Sequence, residues 1–330
     1  MNLSTKYLGI DLKNPLVPSS SPLMHSVENI KAMEDSGAAA VVLHSLFEEQ
    51  ITQEALKIHY HTTQGTDSFA EALSYFPEPA AYKFAGDEYL EHIQKVRKAV
   101  KIPIIGSLNG VTSGGWIEYA KKMQDAGADA VELNIYYVAT DTEINGAKLE
   151  MAYLDVLKAV KASVKIPVAL KLSPYFTSFP SMAKSFAIAG ADGLVMFNRF
   201  YQPDIDVENL TVKTGISLSH ANTTRQSLRW ISALYGKLDV SMAATGGVHT
   251  SEDVIKVVMA GADAAYLCSA LLKNGIDYLG DVLKGVEKWM SEHDYESLEQ
   301  MKGSMSMKSV AEPAAYERAL YIKDLQSYRV

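Results

Sequence analysis

The sequence predicts a (β/α)8, or TIM, barrel, and three observations carry that reading. Four similar segments recur: Ser36-Gly37-Ala38-Ala39-Ala40-Val41-Val42, Ala126-Gly127-Ala128-Asp129-Ala130-Val131, Ala189-Gly190-Ala191-Asp192-Gly193-Leu194 and Ala260-Gly261-Ala262-Asp263-Ala264-Ala265. In each, a glycine sits where a helix needs a left-handed residue to stop, and the apolar run after it reads as a buried parallel strand. A second stop recurs between them, at Lys101-Ile102-Pro103, Lys165-Ile166-Pro167 and Lys237-Leu238-Asp239, again before apolar runs. The length, 330 residues, suits one large α/β domain. A barrel of this kind places its chemistry at the C-terminal ends of its strands.

Eight strands follow from the apolar runs: Leu16–Ser20, Ala39–Ser45, Pro103–Asn109, Ala130–Tyr136, Pro167–Leu172, Gly193–Asn198, Val240–Thr245 and Ala264–Ser269. Between them, Asp87–Val100, Gly115–Ala126, Ala147–Ser163, Ser181–Ala189, Thr224–Tyr235 and Ser251–Ala260 carry apolar residues at helical spacing. Thr250-Ser251-Glu252-Asp253 reads as a helix start, with acids where the macrodipole favours them. Two connections are long for barrel turns, Phe47 to Ala85 and Arg199 to Asn222, and their place on the catalytic face predicts lids. Tyr278–Glu292 reads as the last barrel helix. No linker divides the chain, so residues 1–303 are expected to form the barrel and residues 304–330 a partly helical tail, packed on the barrel or on a partner subunit.

Composition narrows the function. Hydrophobic residues make up 48% and charged residues 21%, ordinary for a soluble globular protein. A net charge of −8 argues against a nucleic-acid partner. No apolar run is long enough for a bilayer, and Met1-Asn2-Leu3-Ser4-Thr5-Lys6 lacks the apolar region of a signal peptide. The expected setting is the cytoplasm. A single cysteine, Cys268, excludes an intramolecular disulfide and a cysteine-rich metal site. No metal is expected. His59-Tyr60-His61 has ligand types, but its spacing favours a solvated loop.

The strand ends hold the candidate chemistry. Ala244-Thr245-Gly246-Gly247 closes strand seven, and Cys268-Ser269-Ala270-Leu271 closes strand eight. Glycines there let backbone N–H groups approach an anion, and barrels often bind phosphate at these loops; the alternative is a plain tight turn. Lys171 lies inside the apolar run Val168-Ala169-Leu170-Lys171-Leu172. A lysine is rarely buried without a partner, which points to a fixed cation facing a cofactor or substrate, against a rim lysine reaching solvent. Asn134 and Asn198 end strands four and six, and Asn109 ends strand three. Amides donate and accept at one site, which suits a heterocycle edge. His220 on the strand-six loop is within a loop's reach of a substrate, His25 follows strand one, and Tyr75, Tyr136 and Tyr175 offer flat apolar surface. Cys268 reads as small packing rather than a nucleophile.

In their order these pieces resemble the dihydroorotate dehydrogenase family of FMN-dependent barrels, class 1 most closely. The matching segments are Asn14-Pro15-Leu16-Val17-Pro18-Ser19-Ser20, Val131-Glu132-Leu133-Asn134, Val168-Ala169-Leu170-Lys171-Leu172-Ser173-Pro174, Thr245-Gly246-Gly247-Val248 and Ser269-Ala270-Leu271, spread from Leu8 to about Gly303. The resemblance implies an FMN oxidoreductase of CH–CH bonds, in pyrimidine biosynthesis if dihydroorotate is the substrate. Ser19, Ser20, Ser45, Asn109 and Asn134 would line the flavin, with Lys171 beside its N1/C2 carbonyl edge. Gly246, Gly247, Cys268 and Ser269 would lie at the phosphate, and Asn134, Asn198 and His220 at the substrate. It also implies a homodimer and, in some class 1 members, an external electron-transfer partner.

The departures are specific. The family's Asn-x-Ser-Cys-Pro-Asn stretch is here Asn134-Ile135-Tyr136-Tyr137-Val138-Ala139, so Tyr137 stands at the catalytic base. A free tyrosine titrates near pH 10 and suits proton donation better than abstraction. A flavin-contacting lysine is replaced by His44, and the substrate loop has no clear counterpart in Ala70–Pro79. The alternatives are an ene reductase or a dehydrogenase with another substrate, a flavin-free phosphate-binding lyase or isomerase using Lys171, and a non-catalytic flavin-binding subunit.

Overall fold

The structure is a computed structural model that describes residues 1–48, 85–110, 113–135, 137–199, 202–213, 215, 217–317 and 319–327. It opens with an antiparallel hairpin of β1 (Thr5–Tyr7) and β2 (Ile10–Leu12). Then come the eight barrel strands: β3 (Leu16–Pro18), β4 (Val41–Phe47), β5 (Ile104–Gly110), β6 (Ala130–Ile135), β7 (Val168–Leu172), β8 (Gly193–Met196) and, after a second small hairpin of β9 (Asp204–Asp206) and β10 (Thr211–Lys213), β11 (Ser241–Ala244) and β12 (Ala264–Leu267). They form one parallel sheet in the order β3-β12-β11-β8-β7-β6-β5-β4. The Ala39 N–H donates to the Leu16 carbonyl at 2.9 Å and draws the two edges together. This is the expected TIM barrel.

Strand ends deviate from the sequence reading by one or two residues, for reasons that matter to the site. Pro103 and Pro167 fall just before β5 and β7, because proline cannot donate to the ladder. At the other end, Ser19, Ser20, Phe197, Asn198, Thr245, Cys268 and Ser269 lie beyond the last paired residues. Ser19, Phe197, Asn198 and Thr245 keep a backbone hydrogen bond to the neighbouring strand, and all seven line the mouth. The helical stops hold: Gly37, Gly127, Gly190 and Gly261 all have positive φ, between 98° and 122°.

Each barrel strand serves two cores. On β7, Val168, Leu170 and Leu172 face outward to the surrounding helices, while Ala169 faces the barrel interior. The interior is lined by small residues, Ala130, Ala169, Ala243 and Ala264, which leave room for Tyr7 and Leu8 of the first hairpin and for Tyr266. That hairpin plugs the barrel bottom. A Cβ at position 193 would come within 2.4 Å of Leu8 Cδ2, so the close approach of the plug requires Gly193.

The connection after β8 carries the exposed β9/β10 hairpin, with Ile205 and Val212 facing solvent. Most of the long connection after β4, including His59-Tyr60-His61, Tyr75 and Ala70–Pro79, lies outside the described residues, as does Tyr136. Towards the C-terminus, Ser297 bridges to Asn2. Gly303, Met305 and Met307 donate backbone hydrogen bonds to Val258, Met259 and Ser232 at 2.9–3.2 Å, laying the chain across two barrel helices. Among the described residues no helix is long and apolar enough to cross a membrane.

Candidate active site

β6 and β7 set the centre of the site. Their register pairs Asn134 with Lys171. Side chains alternate across a strand, so with Ala130 and Ala169 facing the interior, Glu132, Asn134 and Lys171 share that inner face, towards the C-terminal end. Lys171 is 7% exposed and Glu132 is wholly buried. The ammonium lies 3.6 Å from Glu132 Oε1. Above it, Asn198 Nδ2 donates to Asn134 Oδ1 at 2.8 Å, locking the two amides together. Below, the hydroxyls of Tyr7 and Tyr266 share a hydrogen bond of 2.9 Å. Burial raises the pKa of both phenols, and Glu132 nearby adds to it. Neither is an acid or base at neutral pH.

The strand ends enclose a cavity of about 580 Å³, within the range of small-ligand sites. Ser19, Ser20, Ser45, Asn109, Asn134, Lys171, Asn198, Gly246, Gly247, Cys268 and Ser269 all line it. One wall carries hydroxyls in a chain, Ser20 to Ser45 at 3.3 Å and Ser45 to the buried Ser107 at 2.8 Å. Cys268 Sγ faces the Ser20 carbonyl at 3.8 Å. Burial pushes its thiol up, although Lys171 opposes the shift. The thiol stays protonated, in keeping with packing rather than nucleophilic attack.

The far end of the cavity is a backbone cradle. Gly246 and Gly247 have φ of 81° and 90°. A Cβ on Gly247 would lie 2.5 Å from the Thr224 nitrogen and 2.9 Å from the His220 carbonyl oxygen, backbone atoms that cannot step aside. Ser219 ties three loops around this turn: its N–H donates to Ser269 Oγ at 3.1 Å, and its hydroxyl accepts from the Gly247 N–H at 3.3 Å and meets His249 Nε2 at 3.0 Å. A helix begins directly after, at Ser251, under a capping box between Thr250 and Asp253.

Two expected site residues stand elsewhere. Tyr137 does not line the mouth cavity. β6 ends at Ile135, so the inward and outward alternation no longer fixes the direction of Tyr137. It lines a smaller neighbouring cavity of about 160 Å³ with Trp116, Leu149 and Tyr153. His220 is exposed and contributes its backbone carbonyl, not its ring, to the turn at Gly247. His44 also turns away from the mouth. It stacks on His25 at 3.8 Å between ring centroids and meets Tyr89 and His92. Tyr175 is 65% exposed. The sequence reading missed Glu132, Ser219 and Tyr266. Glu132 alone carried a signal, an acid inside an apolar strand two residues before Asn134.

A parallel barrel with a buried cation at its mouth and a glycine cradle after its last two strands defines a class, the ligand-binding barrels that work at their strand ends. Comparison with known proteins gives the family. The family model for dihydroorotate dehydrogenase matches residues 83–290. The dihydroorotate dehydrogenase B (NAD(+)) catalytic subunit of Methanocaldococcus jannaschii is 31% identical over 315 residues, covering 91% of this chain and 97% of that protein. Proteins of the same name from Thermoplasma acidophilum and Pyrococcus abyssi are each 27% identical over 310 residues, covering 92% and 91% of this chain and 98% of each relative. The chain belongs to the dihydroorotate dehydrogenase family and is an oxidoreductase. The family implies a flavin cofactor. This membership does not favour the lyase or isomerase reading, nor that of a non-catalytic subunit.

Proposed function

We propose that the chain is an FMN-dependent oxidoreductase of a CH–CH bond, with dihydroorotate, the compound in its relatives' names, as the first substrate to test. The observation that carries this reading is the pairing of two ends in one cavity. The glycine turn at Gly246 and Gly247, with Ser269 beside it, lies on the cavity wall with no side chain between its backbone and the cavity, which supports a phosphate there. At the other end Lys171, Asn134 and Asn198 supply a cation and two amides, the donor set of a flat heterocycle's edge. These residues fit flavin mononucleotide. When bound, FMN would supply the two-electron acceptor for a hydride leaving one substrate carbon, and the proton lost from the adjacent carbon would pass to an acceptor on the loop after β6.

The chain's own part is electrostatic and positional. Lys171 presents a fixed positive charge at the rim where negative charge develops, in a wall that excludes water. Asn134 and Asn198 hold each other's orientation, so their remaining amide valences point at fixed places. Ser20 and Ser45 offer hydroxyls that are already oriented by neighbours. Tyr137 has no part in these contacts. The setting we infer is cytoplasmic, with a second copy or an electron-carrying protein as partner.

The test is anaerobic mixing of the FMN-loaded protein with dihydroorotate. Bleaching of the flavin band within the mixing experiment supports dihydroorotate oxidation. A flavin that stays oxidised, but bleaches with another CH–CH substrate, moves the activity to that substrate. A flavin that no such substrate bleaches contradicts the reading.

A further inference from the structure

Glu132 is a charged group at the centre of the barrel that the proposed mechanism does not use. It has no exposed surface. Neither of its carboxylate oxygens meets full hydrogen-bonding geometry, but against the burial that raises its pKa, Lys171, and after it Tyr266, lie close enough to pull it down. A buried carboxylate is retained at such cost only against a compensating charge, and the ammonium of Lys171 at 3.6 Å is that charge. The spacing is longer than a hydrogen bond. The ammonium is therefore attracted from below without giving all its N–H groups to the carboxylate, and it keeps donors for the cavity it lines. The other ionisable groups facing Glu132 are Tyr266 on β12, Tyr7 on β1 and Tyr89 from the helix Ala85–Ala99. All three are neutral phenols held so by burial.

We propose that Glu132 is a positioning residue, the ionised counter-charge that holds the Lys171 ammonium at the cavity wall and cancels part of its field. The site then presents a buried ion pair with its positive end towards the cavity, not a lone cation. This rests on the flavin reading above for its effect on chemistry, but not for its effect on stability, so the two are tested separately.

The first test is the midpoint potential of bound FMN, measured for the FMN-loaded protein and its variants. Glu132→Gln removes the cancelling charge, and the flavin becomes easier to reduce. The expected rise is at least tenfold in the reduction equilibrium, about 30 mV for a two-electron couple. Glu132→Asp keeps the charge and stays near the wild-type potential. A Glu132→Gln potential within a factor of two of wild type in that equilibrium overturns the proposal.

The second test needs no flavin. Lys171→Met leaves Glu132 buried without its cation. Burial already raises the Glu132 pKa in the wild type, with Lys171 pulling it back; without that pull it rises further, so stability falls more steeply than in wild type as pH rises from 5 to 8, where the unfolded carboxyl is ionised and the folded one is held neutral. Thermal midpoints of Lys171→Met are expected to fall over that range more steeply than wild type, and those of the Lys171→Met/Glu132→Gln double variant to fall no more steeply than wild type. Parallel curves for the single and double variants overturn the proposal. A protein that binds no FMN would contradict the proposed function and still leave this second test readable.

Discussion

Lys171 carries more of the account than any other residue. Its stem is buried among β6 and β7, and its charge ends at the cavity. Removing a preorganised charge from a water-poor site costs about 10²–10³ in rate. Lys171→Ala is therefore expected to slow substrate reduction of the bound flavin by about that factor, while FMN binding weakens less than tenfold, because the phosphate cradle is untouched. Stopped-flow reduction alongside an FMN binding isotherm measures both, and equal losses in the two contradict the role. Lys171 was legible in the sequence because a lysine in an apolar strand has no inexpensive place to go. Asn134 and Asn198 were legible because they end equivalent strands. Tyr137 lines the neighbouring cavity, a placement the sequence did not fix because Tyr137 follows the last paired residue of β6, where alternation stops carrying direction. Ser219 gave no signal at all: a serine in a loop looks the same whether it ties three turns together or faces water.

At the scale of elements, the helix Ser251–Ala260 begins directly behind the glycine turn. Its capping box uses both Thr250 and Asp253: the Asp253 N–H donates to Thr250 Oγ1 at 3.3 Å, and the Thr250 N–H donates to Asp253 Oδ2 at 2.9 Å. Asp253 also accepts from the His249 N–H at 3.0 Å, which joins the cap to the turn. Thr250→Ala should cost about 1 kcal/mol of stability, read as a lower urea midpoint with an unchanged slope; a midpoint equal to wild type contradicts the cap. This start was readable because acids and a threonine precede an apolar run.

The joint between β4 and the helix Ala85–Ala99 was not readable, since its three histidines are far apart in sequence. Burial holds His44 down to about 4 from 6.5, with His25 and His92 adding repulsion. A lowered histidine contributes stability that is present above pH 6.5 and is lost as pH falls towards 4. His44→Gln should flatten that acid-side loss, measured as thermal midpoints between pH 4.5 and 7. A variant curve parallel to wild type would show that His44 does not titrate in this way.

Across the whole molecule, the barrel was legible because its construction repeats. Helix, glycine stop and apolar strand recur often enough that errors at single ends do not accumulate. The plug was not legible. β1 and β2 have three residues each, too short for a period to show, and the alanines that make room for them read only as small strand residues. The same repeating scaffold explains how the two ends of the site come together. β6 and β7 supply the cation and the amide, and the loops after β11 and β12 supply the cradle, from positions more than 70 residues apart in sequence. No single segment holds the site, and closure of the sheet assembles it.

The central claim is that this one cavity holds flavin mononucleotide by its phosphate at Gly246 and Gly247 and by its ring edge at Lys171. Titration of the apoprotein with FMN, followed by flavin fluorescence and the visible spectrum, tests it most directly. The account predicts saturable binding of one FMN per chain, weakened at least tenfold in Gly247→Ala, whose methyl group would collide with backbone. A folded wild-type protein that takes up no FMN, or a Gly247→Ala variant that binds it as tightly, would contradict the account.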